Sequence, residues 1–343
     1  MTSTPQRVLF LCNAGPSVGG GHVMRCLTLA GALKQRGASC AFVASPEVSP
    51  FLAAFAGPEI ERLRGTGEEA ETLTRDGLLA IADWDASWVV VDHYGLAAGQ
   101  EARLRGLAGR LLAMDDLKRP HDADLVLDSN LGRSGEDYPG AVVLAGPDYT
   151  LIRPAFRDLR DVSLMRRASQ PDVSRVLVAM GLTDVDGITA RVLEAIQPVL
   201  GERQVDVVLG GSAAGLDRVL KLAEADRRLE VHVDTRAMSA LTAAADLAVG
   251  AGGSSTWERC CLGLPSITAI LAENQRANAQ AMEAAGATVA LDAADPLFDS
   301  RLASVFKALC SDAKRLTELS FHAALLCDGT GAEKVAAKML GGR

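Results

Sequence analysis

The sequence predicts an α/β protein built from two doubly wound domains, each with a parallel sheet. The chain has 343 residues, enough for about two domains of roughly 150 residues. Hydrophobic residues make up 48% and charged residues 23%, close to the averages of soluble globular proteins, so a disordered chain is excluded. Short apolar runs alternate with amphipathic helical stretches, which is typical of parallel strands buried on both faces and connected by helices.

Two series of apolar runs predict the strands. The first series is Val8–Cys12, Cys40–Ala44, Trp88–Asp92, Leu111–Met114, Leu125–Leu127 and Val142–Ala145. The second series is Val176–Met180, Val205–Leu209, Leu229–Val233, Leu247–Gly250, Ser266–Ile270 and Ala287–Leu291. Among the intervening helices, His22–Arg36 is the clearest, because its apolar residues share one face and Gly37 follows it.

The predicted boundary lies in the arginine-rich stretch after the first series. It contains two prolines and no clear strand, so it is interpreted as a linker with one short helix. The predicted domains are residues 1–153, carrying the candidate catalytic base, and residues 175–343, with the linker over 154–174. Both domains are expected to be Rossmann-like.

Charge and cysteine content exclude several function classes. The net charge is −8, and residues 1–150 carry 13 Lys and Arg against 19 Asp and Glu. Without a basic stripe, nucleic-acid binding is not expected, and the acidic first half disfavours docking on an anionic membrane. The apolar stretch Cys260–Ala272 is too short to span a bilayer, and Val8–Cys12 is no secretory signal. Seven cysteines without CxxC spacing indicate reduced thiols and a cytoplasmic protein.

A glycine-rich loop follows the first strand and ends in Gly19, Gly20, Gly21 and His22, where a helix begins. Glycines let a ligand approach backbone N–H groups, and a helix N-terminus favours an anion. His22 lies at the carboxyl edge of the sheet, where ligands bind in open α/β folds, and is a candidate general base. A tight structural turn and a capping or packing histidine remain the alternatives.

The strand Trp88–Asp92 continues into His93 and Tyr94 at the same edge of the sheet. This polar cluster could orient a base or bind sugar hydroxyls, or Asp92 could cap the next helix while Tyr94 packs. Asp115 and Asp116 end the following strand with the same ambiguity.

No metal site is expected. Asp122 and Asp124 form a DxD, but three residues occur by chance and Asp124 opens a predicted strand. Asp184–Gly187 resembles the start of a calcium loop and lacks its downstream ligands.

The most specific segment follows the strand Leu247–Gly250. Its candidate ligand-binding residues are Gly252, Gly253, Ser254, Ser255, Thr256 and Glu258. Glycines and hydroxyls at a helix start suit a diphosphate, and a first-turn carboxylate can accept both hydroxyls of a ribose. Glu258 could equally complement the helix dipole. Asn274 and Gln275 open a later helix, and their amides suit a sugar ring and its acetamido groups.

These segments together resemble a known enzyme family. The matching stretches are GGGHVMRCLTLA (19–30), VDHY (91–94), DDL (115–117), DLVLDSN (124–130), AGGSSTWERCCLGLPS (251–266) and ENQ (273–275). They are similar to those of the PseG family, the UDP-2,4-diacetamido-2,4,6-trideoxy-β-L-altropyranose hydrolases of pseudaminic acid biosynthesis, which serves flagellin and surface glycans. The wider similarity is to MurG-like members of the GT-B superfamily.

The resemblance implies a GT-B fold whose two domains face a cleft that holds the UDP-sugar. It implies UDP on the C-terminal domain, with Glu258 on the ribose and Gly253–Thr256 near the diphosphate. His22 would activate water for inverting attack at the anomeric carbon, without metal or cofactor, and Asn274 and Tyr94 match positions near the sugar. The further residues expected to bind substrate are Gly20, Gly21, Arg25, Asp92, Gly181, Asp184, Gly252 and Gln275.

The chain departs from the family pattern in two places. Leu11 and Asn13 stand where the family has an Arg-x-Asp pair. The loop that opens the second domain, Gly181–Asp184, also departs from the family pattern, because it contains Leu182. The resulting prediction is an inverting UDP-sugar hydrolase whose partner is a small UDP-sugar. The alternatives are a MurG-like inverting glycosyltransferase and a nucleotide-sugar-binding protein without turnover.

Overall fold

The computed structural model describes residues 5–15, 18–169 and 172–341. Pro16 and Ser17 of the first glycine loop lie outside this range. The chain divides into two compact units, one formed by Met1–Leu151 with Thr330–Arg343 and the other by Ile152–Gly329. Each unit is an α/β layer structure around one sheet.

The described residues contain two sheets. The strands are β1 (Arg7–Cys12), β2 (Ser39–Ala44), β3 (Glu61–Arg64), β4 (Trp88–Asp92), β5 (Leu111–Met114), β6 (Leu125–Asp128), β7 (Val142–Ala145), β8 (Arg175–Ala179), β9 (Gln204–Leu209), β10 (Leu229–Val233), β11 (Leu247–Ala251), β12 (Ser266–Ile270) and β13 (Val289–Asp292). Every pairing between them is parallel. The predicted fold class of two doubly wound parallel-sheet domains is confirmed.

Helices connect these strands. They are α1 (Gly21–Gln35), α2 (Ser49–Phe55), α3 (Ala70–Trp84), α4 (Ala98–Ala108), α5 (Pro154–Ser169), α6 (Ile188–Ile196), α7 (Leu216–Ala225), α8 (Met238–Ala244), α9 (Ser255–Cys261), α10 (Glu273–Ala284), α11 (Phe298–Leu309), α12 (Ala313–Leu326) and α13 (Gly331–Leu340). None of the helices in the described ranges combines the length and the apolar character needed to cross a membrane.

Both sheets reverse their strand order next to the first strand of the unit. The orders are β3-β2-β1-β4-β5-β6-β7 and β10-β9-β8-β11-β12-β13. The connections therefore leave β1 and β4, and likewise β8 and β11, in opposite directions. Such a switch point opens a crevice outside the carboxyl ends of the two strands, and this is where open α/β sheets bind ligands.

The sheet of the first unit is buried on both faces because alternate residues of β1 point to opposite sides. On one face Phe10 stacks on Phe42 of β2, with ring centroids 4.7 Å apart, and the same cluster includes Leu33 of α1. On the other face Leu11 packs with Leu73 of α3. The run of apolar residues that predicted β1 is therefore explained by two-sided burial.

One strand escaped the prediction. β3, Glu61–Arg64, is a four-residue edge strand with the sequence ERLR, and three of its residues are exposed. An edge strand buries little surface and is often charged, so it carries no apolar run. The other predicted strands are present, with ends shifted by at most about two residues, which is the usual uncertainty of strand boundaries.

The predicted domain boundaries need two corrections. The predicted linker with one short helix is, over residues 154–169, the 16-residue helix α5, which is part of the second unit. Arg167 of α5 is buried and donates to the carbonyl oxygens of Leu262, Ala245 and Thr242 at 3.0, 2.5 and 2.9 Å. The helix α13 belongs to the first unit, where Val335 and Met339 join the core cluster of α1.

Candidate functional site

The first candidate site lies at the switch point between β1 and β4. Cys12, the last residue of β1, pairs with Asp92, the last residue of β4. Gly20 caps the helix α1, Gly21 is its first residue and His22 lies in its first turn. The fold therefore brings His22 and Asp92, which are 70 residues apart in sequence, into contact.

His22 and Asp92 form a buried dyad. His22 Nδ1 lies 2.6 Å from Asp92 Oδ1, and the side chains are 8% and 0% exposed. Because a carboxylate only accepts hydrogen bonds, we assign the proton of the neutral ring to Nδ1. This tautomer leaves the lone pair on Nε2, the arrangement in which an imidazole can take a proton from a nucleophile.

Arg25 completes the environment of Asp92. Its Nε donates to Oδ2 and its Nη2 to Oδ1, each at 2.5 Å, and Cys26 Sγ lies 3.7 Å from Oδ2. Burial alone would raise the pKa of Asp92, but the charges and hydrogen bonds of Arg25 and His22 hold it well below its usual value. Asp92 is thus an anion that orients His22. Arg25, which was expected to bind substrate, thus binds this carboxylate through two nitrogens of its guanidinium.

Tyr94 lies against His22 and is fixed at several points. The two rings meet edge to face with centroids 4.8 Å apart. The phenol donates to Asp116 Oδ2 at 2.9 Å, and Arg119 Nη1 donates to the Tyr94 carbonyl oxygen at 2.7 Å. Burial and the nearby Asp116 raise the pKa of Tyr94, so its hydroxyl stays protonated. The sequence predicted Tyr94 at this edge, but Asp116 and Arg119 as its supports were not identified.

His93, the other histidine at this sheet edge, has a structural role. Its Nδ1 accepts the N–H of Gly95 at 2.9 Å, and a Cβ on Gly95 would lie 3.0 Å from the His93 ring. Burial lowers the pKa of His93 to about 4. A ring that accepts a backbone hydrogen bond and packs tightly on the following glycine stabilises the loop after β4.

Carboxylate groups that could suggest a metal are bound by arginines. Arg105 donates to Asp122 at 2.6 Å and to Asp124 at 3.0 Å. In the second unit, Asp206, Glu230 and His232 bring potential ligand atoms within 4.8 Å of one another. Arg175 holds Asp206 there through two hydrogen bonds of 2.5 and 2.6 Å. An arginine that binds both oxygens of a carboxylate competes directly with a cation.

The second candidate site lies at the switch point between β8 and β11. After β11 the chain turns through Gly252, Gly253 and Ser254 into α9. The N–H groups of Gly253, Ser254 and Ser255 have no acceptor among the described residues. Unpaired N–H groups in succession at the first turn of a helix form a binding site for an anion.

Gly252 and Thr256 of this segment form hydrogen bonds within the second unit. The N–H of Gly252 donates to Ala269 of β12 at 3.0 Å, and a Cβ on Gly252 would lie 3.2 Å from Gln275. The hydroxyl of Thr256 is buried between the Ala251 carbonyl oxygen and the guanidinium of Arg259, at 3.1 and 3.0 Å. Gly252 and Thr256 were expected to contact substrate, but these bonds direct them into the unit.

Glu258 has a partner that the sequence did not indicate. Arg153 donates to its Oε1 through Nε and Nη2 at 3.0 and 2.8 Å. The Glu258 side chain is 16% exposed and lies in the first turns of α9. Arg153 was assigned to the end of the first domain, and its 105-residue separation from Glu258 left no signal in sequence. The ion pair fixes Glu258 at the carboxyl edge of β11.

The other residues predicted for the site of the second unit differ in their surroundings. Asp184 is buried, and its Oδ1 accepts the N–H and hydroxyl of Thr189 at 2.8 and 2.6 Å, so it stabilises the first turn of α6. Gly181 is exposed after β8 with a φ of +111°, a conformation that favours glycine. Asn274 and Gln275 lie in the first turn of α10, and Gln275 Oε1 accepts the Leu271 N–H at 3.0 Å.

Comparison with known proteins relates the chain to sugar-transferring enzymes. The sequence model of the glycosyltransferase family 28 C-terminal domain matches residues 191–335. The spore coat polysaccharide biosynthesis protein SpsG of Bacillus subtilis is 27% identical over 57% of this chain. The aligned part is 57% of SpsG, so the chain spans little more than half the length of that relative.

Two further relatives are nucleotide-sugar enzymes by name. The UDP-2,4-diacetamido-2,4,6-trideoxy-β-L-altropyranose hydrolase of Campylobacter jejuni is 22% identical over 66% of this chain and 78% of its own length. A UDP-N-acetylglucosamine–N-acetylmuramyl-(pentapeptide) pyrophosphoryl-undecaprenol N-acetylglucosamine transferase of Xylella fastidiosa is 26% identical over 92% of this chain and 93% of its own length.

The solved structures agree with the fold. The crystal structure of Acinetobacter baumannii MurG superposes with a TM-score of 0.68 over 98% of this chain and 99% of that chain, at 16% identity. At that identity the likeness shows the fold alone. The chain therefore has the two-unit architecture of GT-B proteins.

Proposed function

We propose that this protein is an enzyme that acts on a UDP-sugar, and that it hydrolyses a UDP-2,4-diacetamido-2,4,6-trideoxyhexose to UDP and the free sugar. The observation that carries the proposal is the buried Asp92–His22 pair at the switch point of the first sheet, with Nε2 of His22 as its free base. The similarity to the Campylobacter hydrolase supports the substrate class. The proposed reaction would be a step in the cytoplasmic synthesis of pseudaminic acid.

The proposed chemistry is a single displacement. The oxygen of a water molecule attacks the anomeric carbon while the bond from that carbon to the diphosphate oxygen breaks. The water proton passes to Nε2 of His22, and UDP leaves with the electron pair of the broken bond. Asp92 stabilises the resulting imidazolium because it is an anion 2.6 Å from Nδ1. Attack opposite to the leaving group inverts the anomeric centre.

The second unit is assigned the UDP part of the substrate. The N–H groups of Gly253, Ser254 and Ser255 are available to the diphosphate oxygens, and hydrogen bonds from neutral donors stabilise the charge that develops on the leaving group. Glu258, held by Arg153, would accept the ribose hydroxyls. Asn274, Gln275 and Gly181 surround the same sheet edge. The scheme requires no metal or cofactor.

The second candidate is an inverting glycosyltransferase. The transferase of Xylella matches 92% of this chain, and the same His22–Asp92 pair would then deprotonate an acceptor hydroxyl instead of water. The two activities differ in the nucleophile and not in the donor, so the identity of the acceptor decides between them.

The experiment is a measurement of UDP release from a panel of UDP-sugars in EDTA, with and without acceptor alcohols. We expect UDP and free sugar in equal amounts without any acceptor, most rapidly from the diacetamido sugar. Release that requires an acceptor would identify a transferase, and tight binding without release would identify a binding protein. Loss of turnover in EDTA that is restored by Mg²⁺ or Mn²⁺ would contradict the metal-free scheme.

A further inference from the structure

Asn13 is a buried amide that connects two loops of the first site. It follows β1 directly and is 7% exposed. Its Nδ2 donates to Glu68 Oε2 at 3.2 Å, and its Oδ1 accepts the N–H of Tyr94 at 2.8 Å. Its backbone N–H donates to the carbonyl oxygen of Asp92 at 2.9 Å. The amide therefore joins the segment before α3 to the loop that follows Asp92.

Glu68 acts as the acceptor at the other end of this connection. Its Oε1 accepts the N–H of Ala14 at 3.0 Å and the hydroxyl of Ser45 at 3.3 Å. Burial raises the pKa of Glu68, while the hydrogen bonds from Asn13, Ala14 and Ser45 oppose that rise. A half-buried carboxylate with three donors is stable only while those donors remain in place.

The two hydrogen bonds of the Asn13 side chain require both a donor and an acceptor at position 13. The side chain must donate towards Glu68 and accept from Tyr94, and only an amide of this length does both. An aspartate in this position could accept the Tyr94 N–H, but its other oxygen would face the Glu68 carboxylate. Two carboxylates at hydrogen-bond distance repel each other, and one of them would have to be protonated.

We propose that Asn13 and Glu68 are positioning residues for the reaction, because they fix the main chain of Tyr94 and with it the ring that packs on His22. Neither residue touches the reacting atoms. The proposal rests on the function proposed above in assuming that the geometry of Tyr94 and His22 limits the rate. It adds two residues to the machinery, one of which departs from the pattern of the resembling family.

A polarity-reversal experiment tests this connection. The variants are Asn13→Asp, Glu68→Gln and the double variant, in which the amide introduced at position 68 donates to the carboxylate introduced at position 13 and still accepts the Ala14 N–H. Each single variant should lower kcat about 10–100-fold, the range for a disrupted hydrogen bond to a charged group, with a smaller change in KM. Amide hydrogen exchange at Tyr94 should become faster in the same variants. The double variant should regain both kcat and the protection of Tyr94.

A charge-matched control separates polarity from net charge. Glu69 is exposed and adjacent to Glu68 in the sequence, so Asn13→Asp with Glu69→Gln has the same charge as the rescuing pair without the contact. This control should be as slow as Asn13→Asp alone. The proposal is wrong if this control regains as much kcat as the rescuing pair. It is also wrong if the kcat of the double variant is no higher than that of the slower single variant.

The effects of the variants on folding and on catalysis are measured separately. A purely structural role would lower the melting temperature of the single variants and leave kcat unchanged at a temperature where they are folded, which would also overturn the proposal. If the single variants do not fold at the assay temperature, kcat and the exchange of Tyr94 are compared at a lower temperature at which they are folded. If the wild type releases no UDP, the exchange of Tyr94 still tests the connection, and only the proposed function fails.

Discussion

At the scale of single residues, the first unit contains a second histidine held by carboxylates. His121 Nδ1 lies 2.7 Å from Glu101, and its Nε2 lies 3.6 Å from Asp115. Its side chain is 2% exposed. Burial disfavours the charged ring, but the interactions with Asp115 and Glu101 outweigh it and raise the pKa of His121 to about 9. The folded protein therefore holds this proton more tightly than the unfolded chain.

This difference predicts how stability depends on pH. The contribution of His121 is fully present below its unfolded pKa of about 6.5 and is lost as pH rises through about 9, a loss on the order of 3 kcal/mol. Denaturant unfolding of the first unit can be followed in a Trp257→Phe background, because Trp84 and Trp88 then report on that unit alone. The decline between pH 6.5 and 9 should flatten in His121→Gln. An equal decline in both proteins would exclude His121 as its cause.

The sequence identified the residues of the first site but not all of their roles. The positions of His22 and Asp92 at one sheet edge followed from strand ends alone. Arg25 was expected to face the substrate, because spacing on a helix shows that His22 and Arg25 share a face but not which partner the guanidinium takes. Asp92 takes it, since a buried carboxylate needs a counter-charge. Asn13 and Glu68 are 55 residues apart, and nothing local linked them.

At the scale of secondary structure elements, the helix α13 is the clearest test of the division into units. Gly331 starts this helix, and a Cβ there would lie 2.5 Å from the backbone nitrogen of Thr150 and closer still to its carbonyl oxygen. Both atoms belong to the backbone and cannot rotate away. The close approach is possible only for glycine, and it seats α13 against the core of the first unit.

Replacing Gly331 by alanine should therefore destabilise the first unit by about 1–3 kcal/mol, the usual cost of overpacking. Gly106→Ala is the matched control, because Gly106 lies in α4 with no atom within 4 Å of the added Cβ. That control should be neutral or stabilise by up to about 1 kcal/mol, as alanine favours helix over glycine. The tryptophan fluorescence of the Trp257→Phe background measures both. Equal stabilities of the two variants would show that α13 is not packed in this way.

Two-sided burial gave the clearest strand signal, and the exposed edge strand β3 gave none. The central strands gave continuous apolar runs, whereas β3 lies at an edge and is mostly exposed. The arginine-rich stretch was interpreted as a linker with one short helix, yet Arg160, Arg166 and Arg167 bind backbone carbonyl oxygens of the second unit. Composition indicates charge, but it does not tell whether a guanidinium faces water or the ends of neighbouring helices.

At the scale of the whole molecule, the two units have the same design and different chemistry. Each reverses its strand order beside its first strand, and each places its polar residues at the carboxyl edge of that switch point. The first unit offers a buried His–Asp dyad, and the second offers backbone N–H groups and a fixed carboxylate. The alternation of strands and helices predicted this architecture of two doubly wound domains. The association of α13 with the first unit depends on long-range packing, which periodicity does not encode.

Bond cleavage is assigned to the first unit and UDP to the second, and replacing His22 is the sharpest test of this assignment. The measurement is kcat for UDP release together with UDP affinity by calorimetry, in wild type, His22→Asn and the matched His93→Asn. We expect His22→Asn to lower kcat about 10²–10⁴-fold, the usual contribution of a general base, with UDP affinity unchanged. His93→Asn should retain most of the activity. Near-normal kcat in His22→Asn, combined with an inactive His93→Asn, would contradict it and place the base on the loop after β4.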